Sequence, residues 1–145
     1  MKKVNEMKLV FPAKSVNEGF ARAAAAAFAA LADPSVEELG DVKTAVSEAV
    51  TNAIVHAYGE KNGDVTLQAT LYEGGVLRLR VKDRGIGIPN VAQAMEPLYT
   101  TAGDDRSGLG FTVMESFSDR LTVRSQPGRG TVVTITKYIK GKSAV

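Results

Sequence analysis

The chain has 145 residues, of which 44% are hydrophobic, so it is long enough for one globular domain with a sizeable core. Eighteen Lys and Arg residues against 16 Asp and Glu give a formal net charge of +2, which is too near balance to indicate a nucleic-acid surface. Cysteine is absent, which excludes disulfides and thiolate chemistry, and no stretch is apolar enough for a secretory leader or a membrane span. We expect one cytoplasmic domain over residues 1–145, without membrane or direct nucleic-acid contact.

A strand and a helix are the first elements predicted along the chain. Residues 7–13 have the composition of a strand, and the spacing of Ser15 and Glu18 predicts a capping box that opens the first helix. Arg22 points away from the apolar face of this helix, whose members recur every three or four positions: Phe20, Ala24, Phe28 and Leu31.

The second helix is predicted to begin with Asp33 or Ser35 as N-cap and to run through Gly40 to about Tyr58. Its predicted core stripe has an unbroken helical period: Val42, Ala45, Val46, Ala49, Val50, Ala53 and Ile54. Such a continuous stripe indicates a helix that packs on a sheet.

The remaining elements are predicted to be two hairpins separated by a loop and a short helix. Segments 65–72 and 76–83 alternate with period two around a Glu-Gly-Gly turn, and 119–125 and 131–139 flank a second glycine turn. Residues 90–108 lack a firm period and are predicted to be a mobile loop, whereas 109–117 form a short helix with Met114 and Phe117 in the core. This order predicts a two-layer α/β sandwich with a mixed, mostly antiparallel sheet covered by helices on one face.

Two glycine-rich segments are candidate ligand sites. Asp83 ends a strand and is followed by Gly85 and Gly87, so its carboxylate could accept from the exocyclic amine of a planar ligand. The alternative is a tight turn capped by an aspartate. Gly108 and Gly110 precede the short helix, where free N–H groups could bind phosphate, but a plain loop-to-helix junction has the same pattern.

Glu48 and Asn52 lie four residues apart on the second helix, so both side chains can reach one site. Magnesium prefers oxygen ligands and often takes only one or two from the protein, with phosphates completing its coordination. Asn52 could supply such an oxygen, and Glu48 could deprotonate a hydroxyl that attacks a γ-phosphate. The alternative is a solvated helix face.

Four segments, taken in order and at their separations, resemble the nucleotide-binding boxes of the GHKL family of gyrase, heat-shock-90-type, histidine-kinase and MutL ATPases. They are EAVTNAIVHAY, DRGIGIP, TTAGDDRSGLGF and GRGTVV. The resemblance covers roughly residues 4–139 and implies the Bergerat ATP-binding fold. The N-terminal segments and EPLYTT further resemble the family's anti-sigma serine kinases, which implies a homodimer near the first strand and helix.

The resemblance also implies the roles of individual residues. Glu48 would be the general base, Asn52 the Mg²⁺ ligand and Asp83 the acceptor of the adenine N6 amine, while Arg22 would lie on the docking face for partners. The remaining implied contacts to ATP or ADP are Gly85, Gly87 and Ile88 beneath the base, Thr100, Thr101, Arg106, Ser107, Gly108 and Gly110 in a lid, and Thr131 through water. The segment between Thr101 and Arg106 is shorter than the family pattern.

Three functions are compatible with these features. The first is an anti-sigma factor that sequesters a sporulation sigma factor and phosphorylates a serine of an anti-anti-sigma protein, or the same kinase in a stress-response switch. The second is a stand-alone histidine-kinase-like ATPase domain, which would need a separate phosphoacceptor, since His56 is the chain's only histidine. The third is a nucleotide-dependent binding module, which would not require Glu48. The first agrees best with the residues above.

Overall fold

The computed structural model describes residues 1–58, 62–88, 90–96 and 110–141. The strands are β1 (Lys3–Pro12), β2 (Asp64–Tyr72), β3 (Val76–Asp83), β4 (Arg120–Gln126) and β5 (Gly130–Tyr138). The α-helices are α1 (Asn17–Ala29), α2 (Val36–Asn52), α3 (Val91–Ala94) and α4 (Gly110–Ser116). A 3-10 turn (Ala30–Ala32) follows α1, and a π-helical segment (Ala53–Tyr58) continues α2. In the described residues, no helix has the length and apolar character needed to cross a membrane.

The five strands form one sheet in the order β1-β2-β3-β5-β4, and the predicted two-layer α+β sandwich is confirmed. The mixed sheet predicted from the sequence is wrong, because every neighbouring pair is antiparallel. Two helices join β1 to β2. The chain reverses direction after β1, again after α1 and again after α2, so β2 runs antiparallel to β1. Strands β3 and β4 do run parallel, but β5 lies between them.

The core lies between α2 and the inner face of the sheet. The predicted α2 stripe is confirmed, since every one of its members is buried. Alternate residues of the central strands complete the core: Val65, Leu67, Ala69, Leu77, Leu79, Val81, Val133 and Ile135. Both predicted hairpins therefore have one buried and one solvent-facing side, as their period of two indicates.

The predicted apolar face of α1 is confirmed at Phe28, which is buried, and is wrong at Phe20 and Leu31, which are 57% and 63% exposed. Ala21 and Ala25 are fully buried instead. Alanines occupy every side of this helix, so a period of 3.6 fits several faces equally well. The small side chains let α1 approach α2 closely, and that contact selects the alanine face. Arg22 is exposed, as predicted.

The two predicted N-caps have different outcomes. Ser15 does not cap α1, whose N-cap is Val16 without a side-chain hydrogen bond. Glu18 instead accepts hydrogen bonds from Arg22 and from Ser47, which withdraws its carboxylate from the predicted capping box. The alternative of Ser35 as N-cap of α2 is confirmed, with a complete capping box in which Ser35 and Glu38 bond each other's backbone N–H groups.

Three smaller predictions need correction. The α-helix predicted to reach Tyr58 ends at Asn52, and the chain continues as the π-helical segment. The predicted irregular loop contains α3, because Asn90 caps one helical turn by accepting from the Gln93 N–H at 3.0 Å. Phe117 is 38% exposed, since α4 ends one residue before it, whereas Met114 is fully buried as predicted.

Candidate functional site

The structure places Glu48 and Asn52 one turn apart on α2, both half-buried, with Asn52 as the last residue of the α-helix. An open groove of about 450 Å³ begins at Glu48 and is lined further by Arg22, Gly40, Lys43, Thr44 and Ser47. The first residue of α4 also approaches the carboxylate, because a Cβ built on Gly110 would lie 3.5 Å from Glu48 Oε2. The groove therefore joins the candidate base to the exposed face of α1.

Asp83 lies at the end of β3, 6% exposed, on the inner side of the sheet. Its Oδ1 accepts hydrogen bonds from the Gly85 N–H at 2.9 Å and from the Thr131 N–H at 3.2 Å. Both of these bonds are to one oxygen of the carboxylate. The aspartate thus caps its own turn and still has a second oxygen with which to accept from a ligand amine.

Burial raises the pKa of Asp83 above its usual value of 3.8, although the Gly85 and Thr131 N–H groups act to lower it. A raised pKa means that the ionised carboxylate is less stable in the folded protein than in water, because protein groups only partly replace its water shell. A ligand donor at Oδ2 would reduce this destabilisation. A buried carboxylate with a perturbed pKa is typical of a ligand-binding or catalytic site.

Backbone packing explains the glycines that follow Asp83. A Cβ on Gly85 would lie 2.3 Å from the Ala57 carbonyl oxygen, and a Cβ on Gly87 would lie 2.2 Å from the Gln126 oxygen. Gly87 also has φ of 76°, which disfavours any residue with a side chain. The turn is therefore clamped between the π-helical segment and the β4–β5 turn, a requirement that holds with or without a ligand.

Thr131 is buried at the start of β5, directly opposite Asp83 in the register of the sheet. Its hydroxyl lies 2.8 Å from the Ser125 hydroxyl, which also accepts from the Ile88 N–H at 2.7 Å. Ser125 was not predicted, although its position in β4 opposite Thr131 follows from the hairpin register. Asp83, Ile88 and Thr131 are thus brought into one hydrogen-bonded cluster.

Tyr58 is a further residue that the sequence did not indicate. Its hydroxyl accepts from the Arg84 N–H at 2.6 Å and donates to the Asp64 carbonyl at 2.8 Å. The Ile86 N–H donates to the Ala57 carbonyl at 3.0 Å beside it. The end of the π-helical segment therefore holds the turn after Asp83 from the opposite side, and no local sequence pattern signals a π-helix.

Arg22 lies on the surface of α1, where its guanidinium pairs with Glu18 at 3.2 Å. Glu18 in turn accepts from the Ser47 hydroxyl on α2, one residue before Glu48. This connection fixes the α1 surface relative to the helix that bears the candidate base. The pair is exposed, so it contributes little to stability by itself.

Five predicted lid residues, Thr100, Thr101, Arg106, Ser107 and Gly108, lie outside the described residues. Of the predicted lid, Gly110 alone is described, at the start of α4. Over the part of the chain that the structure describes, no three acidic, His or Cys side chains gather to hold a metal. The half-buried Asn52 offers one amide oxygen, a kind of ligand that Mg²⁺ can take together with nucleotide phosphates.

The sequence has close relatives among known proteins. Residues 11–137 match the model of the histidine kinase-like ATPase domain. The chain is 55% identical over 134 residues to the anti-sigma F factor of Clostridium acetobutylicum, covering 92% of this chain and 93% of the relative. It is 51% identical over 140 residues to the anti-sigma F factor of Thermoanaerobacter sp. strain X514, covering 96% and 97%.

Solved structures give the same fold. A histidine kinase domain from Erythrobacter litoralis superposes with a TM-score of 0.56 and 29% identity, over 72% of this chain and 48% of that one. The RsbU and RsbW domains of a Mycobacterium tuberculosis protein match with a TM-score of 0.68 and 19% identity, over 94% of this chain and 33% of that one. The second likeness is of fold alone.

Proposed function

The chain belongs to the histidine kinase-like ATPase family, and from that premise we propose that it is an anti-sigma factor and an ATP-dependent serine kinase. It inhibits a sporulation sigma factor and transfers the γ-phosphate of ATP to a serine of an anti-anti-sigma protein. The relatives named anti-sigma F factor, which the chain matches over nearly its whole length, support this function. The kinase assignment rests on one observation: Glu48 lies at one end of the groove that extends to Arg22.

Recognition of ATP rests on the cluster around Asp83. Oδ2 of Asp83 accepts from the adenine N6 amine, and Thr131 reaches the base through water. Gly85, Gly87 and Ile88 form the backbone beneath it. The hydrogen bonds of Asp83 Oδ1, which fix the carboxylate before any ligand arrives, support this role because preorganised acceptors bind with little loss of freedom.

The chemical step needs a base beside the phosphates. Asn52 holds Mg²⁺ through its amide oxygen, and the ion supplies neutralisation of the phosphate charge when bound. Glu48 accepts the proton of the serine hydroxyl as the oxygen attacks the γ-phosphorus and the bond to ADP breaks. The lid residues Thr100, Thr101, Arg106, Ser107, Gly108 and Gly110 enclose the phosphates, and the proximity of Gly110 to Glu48 supports this closure.

Partner proteins dock on the α1 side of the groove, where Arg22 is exposed. A homodimer forms through β1 and α1. Its support is an edge strand and exposed apolar side chains on these elements, since such surfaces are usually covered. Those side chains are Val4, Val10, Val16 and Phe20.

The test is incubation of the purified protein with Mg-ATP and an anti-anti-sigma protein, followed by mass spectrometry of the partner. Serine phosphorylation is the expected result. Acid-labile phosphate on a histidine would instead support a histidine-kinase domain, the second candidate, which the Erythrobacter litoralis likeness favours. Binding of ATP without transfer to any partner would indicate a nucleotide-dependent binding module and would contradict the kinase assignment.

A further inference from the structure

The solvent-facing side of the sheet, opposite the helices, carries an uneven distribution of charge. Besides Lys8 on β1, five cations of this side lie in two rows: Arg78, Arg80 and Lys82 on β3, and Arg120 and Arg124 on β4. Their combined charge exceeds the chain's formal net charge of +2, so the rest of the molecule is net acidic. The expectation of no nucleic-acid contact rested on that net charge, which conceals this segregation.

The register turns the two rows into the walls of a channel. Arg78 and Arg120 both pair with Thr136 of β5, and Lys82 and Arg124 both pair with Val132. Strand β5 is therefore an uncharged floor between them. Two strand spacings separate the walls by about 9–10 Å, and alternate residues place the cations of β3 about 7 Å apart.

Neither wall contains a carboxylate. The acidic residue of β3, Asp83, is buried on the inner face, and β4 and β5 have none. One acid, Asp119, lies at the end of the channel, where its carboxylate accepts from the Tyr138 N–H at 2.7 Å and lies 3.9 Å from Lys137 Nζ. Toward β1 the same side of the sheet has Glu6, which pairs with Lys3 at 3.0 Å, and Asp64. Arg80, Lys82, Arg120 and Arg124 are exposed. A second copy of the chain would bring like charges together here, so this face does not fit self-association.

We propose that this channel, defined by β3, β4 and the floor of β5, binds single-stranded nucleic acid along its phosphate backbone. Rows of cations at regular spacing fit a linear polyanion, and arginine fits phosphate better than lysine does. A duplex, whose major groove alone is about 12 Å wide, does not fit between walls about 9–10 Å apart, which favours a single strand. The half-buried Thr134 on the floor adds a hydroxyl that can donate to a phosphate oxygen.

Aromatic side chains at one end of the channel favour nucleic acid over an acidic peptide. Tyr138 continues the floor beyond Thr136 and is 49% exposed, so its ring can stack on a base. Tyr72 is opposite Val76 in the neighbouring strand, but Arg78 lies over its ring at 5.0 Å and donates to its hydroxyl at 3.2 Å, so Tyr138 is the ring offered for stacking. A cationic track beside a stacking ring is a usual construction of a single-strand site.

The test is fluorescence anisotropy of a labelled 12-nucleotide oligothymidylate across a range of salt, with Mg-ADP present to occupy the nucleotide pocket. Five phosphate contacts predict a slope of log affinity against log salt of about −3.5. The double variant Arg80→Gln and Arg124→Gln removes one exposed cation from each wall. Its slope should fall to about −2 and its affinity by about tenfold or more at 0.1 M salt. A ribo-oligonucleotide should give a similar slope.

Two controls make the result decisive. The variant Lys14→Gln and Lys2→Gln loses the same charge away from the channel and should bind like the parent. Tyr138→Ala should weaken binding about fivefold or more without changing the slope, which a purely electrostatic acidic-peptide site would not show. Equal losses in both charge variants, no binding of the oligonucleotide, or preference for polyglutamate or anionic vesicles would overturn the proposal. Unchanged Mg-ADP affinity shows that each variant is folded.

Discussion

Asp83 illustrates how one side chain can serve the fold and a ligand at once. Its Oδ1 closes a turn and joins β5, while its burial keeps the pKa above 3.8. A group with a raised folded pKa favours folding below its unfolded pKa, and that contribution is lost as pH rises through the folded value. At neutral pH, therefore, the ionised Asp83 lowers the stability of the ligand-free protein.

We predict that Asp83→Asn weakens adenine nucleotides selectively, because the amide NH₂ would face the N6 donor and leave one of them without a partner. Such a loss is worth about 1–3 kcal/mol, or about 5- to 150-fold in affinity. Calorimetric titration with ADP and GDP checks it, with the exposed Asp64→Asn as control. Equal loss of both nucleotides would count against the assigned role. Urea unfolding at pH 7 should show no loss of ligand-free stability.

The same carboxylate gives a pH dependence. Protonation removes the acceptor at Oδ2, so affinity for ADP should decline as pH falls through the raised pKa of Asp83, beginning above pH 3.8. Asp83→Asn has no such proton to gain and should lack this part of the decline. An identical pH profile in parent and variant would show that Asp83 does not govern it.

At the scale of elements, the π-helical segment and the turn after Asp83 form one unit joined by Tyr58. We predict that Tyr58→Phe lowers the free energy of unfolding by about 1 kcal/mol and weakens ADP, since both hydrogen bonds of the hydroxyl are lost. Tyr138→Phe is the matched control, because it removes an exposed hydroxyl far from the turn. If nucleotide affinity is unaffected by Tyr58→Phe, the clamp does not position the turn.

Glu38 connects the N-terminus of α2 to the C-terminal segment. Its carboxylate accepts from the backbone N–H groups of Lys140 at 2.7 Å and Gly141 at 3.1 Å as well as from Ser35. Partial burial acts to raise the pKa of Glu38, but the N–H groups of Lys140, Ser35 and Gly141 outweigh it and lower the pKa below 4.5.

A lowered folded pKa means that Glu38 contributes stability above its unfolded pKa, near 4.5, and loses it as pH falls through the lower folded value. Glu38→Gln should therefore be less stable than the parent at pH 7, with the difference shrinking below about pH 4.5. Urea unfolding at several pH values measures this. A difference that is constant with pH would mean that the charge contributes nothing beyond the side chain's shape.

Elements with strong periodicity were predictable from sequence, whereas the choice between two helix faces with the same pattern was not. The Val and Ala stripe of α2 and the alternation of β2 and β3 each allow only one buried face, and the structure buries that face. In α1 the alanine run offered several faces, and packing on α2 decided between them. The π-helical segment and Tyr58 depend on contacts with a distant turn, which no local pattern records. Glu48 and Asn52 were predicted from their spacing of one helical turn, and Asp83 from its place at a strand end before two glycines, and their roles stay predictions.

For the whole molecule, the proposed functions occupy different surfaces. The groove from Glu48 to Arg22 lies between α1 and α2, whereas the cationic channel lies across the sheet from them. We predict that Arg22→Glu weakens binding of a sigma factor and of an anti-anti-sigma protein about tenfold or more, with ADP affinity unchanged. Surface plasmon resonance checks both partners, and Arg120→Glu, on the side of the sheet away from the helices, is the control. Unchanged binding of both partners would remove Arg22 from the docking face.

If Glu48 is the base and Asn52 the metal-binding residue, removal of the two side chains should have different effects. Glu48→Gln should preserve fold, Mg-ATP affinity and sigma binding while slowing serine phosphorylation about 10²- to 10⁴-fold. Asn52→Ala should lower both Mg-ATP affinity and transfer, because the phosphates lose their neutralising clamp. Glu37→Gln, exposed in the first turn of the same helix, should match the parent.

The most direct measurement is the single-turnover rate of phosphoryl transfer from Mg-ATP to the anti-anti-sigma serine, with Mg-ATP saturating for each variant. We expect a rate for Glu48→Gln that is at least about 100-fold below that of the parent and of Glu37→Gln, with nucleotide affinity unchanged. Transfer by Glu48→Gln at the parental rate would show that Glu48 is not the base, since no proton acceptor would then be needed at that position.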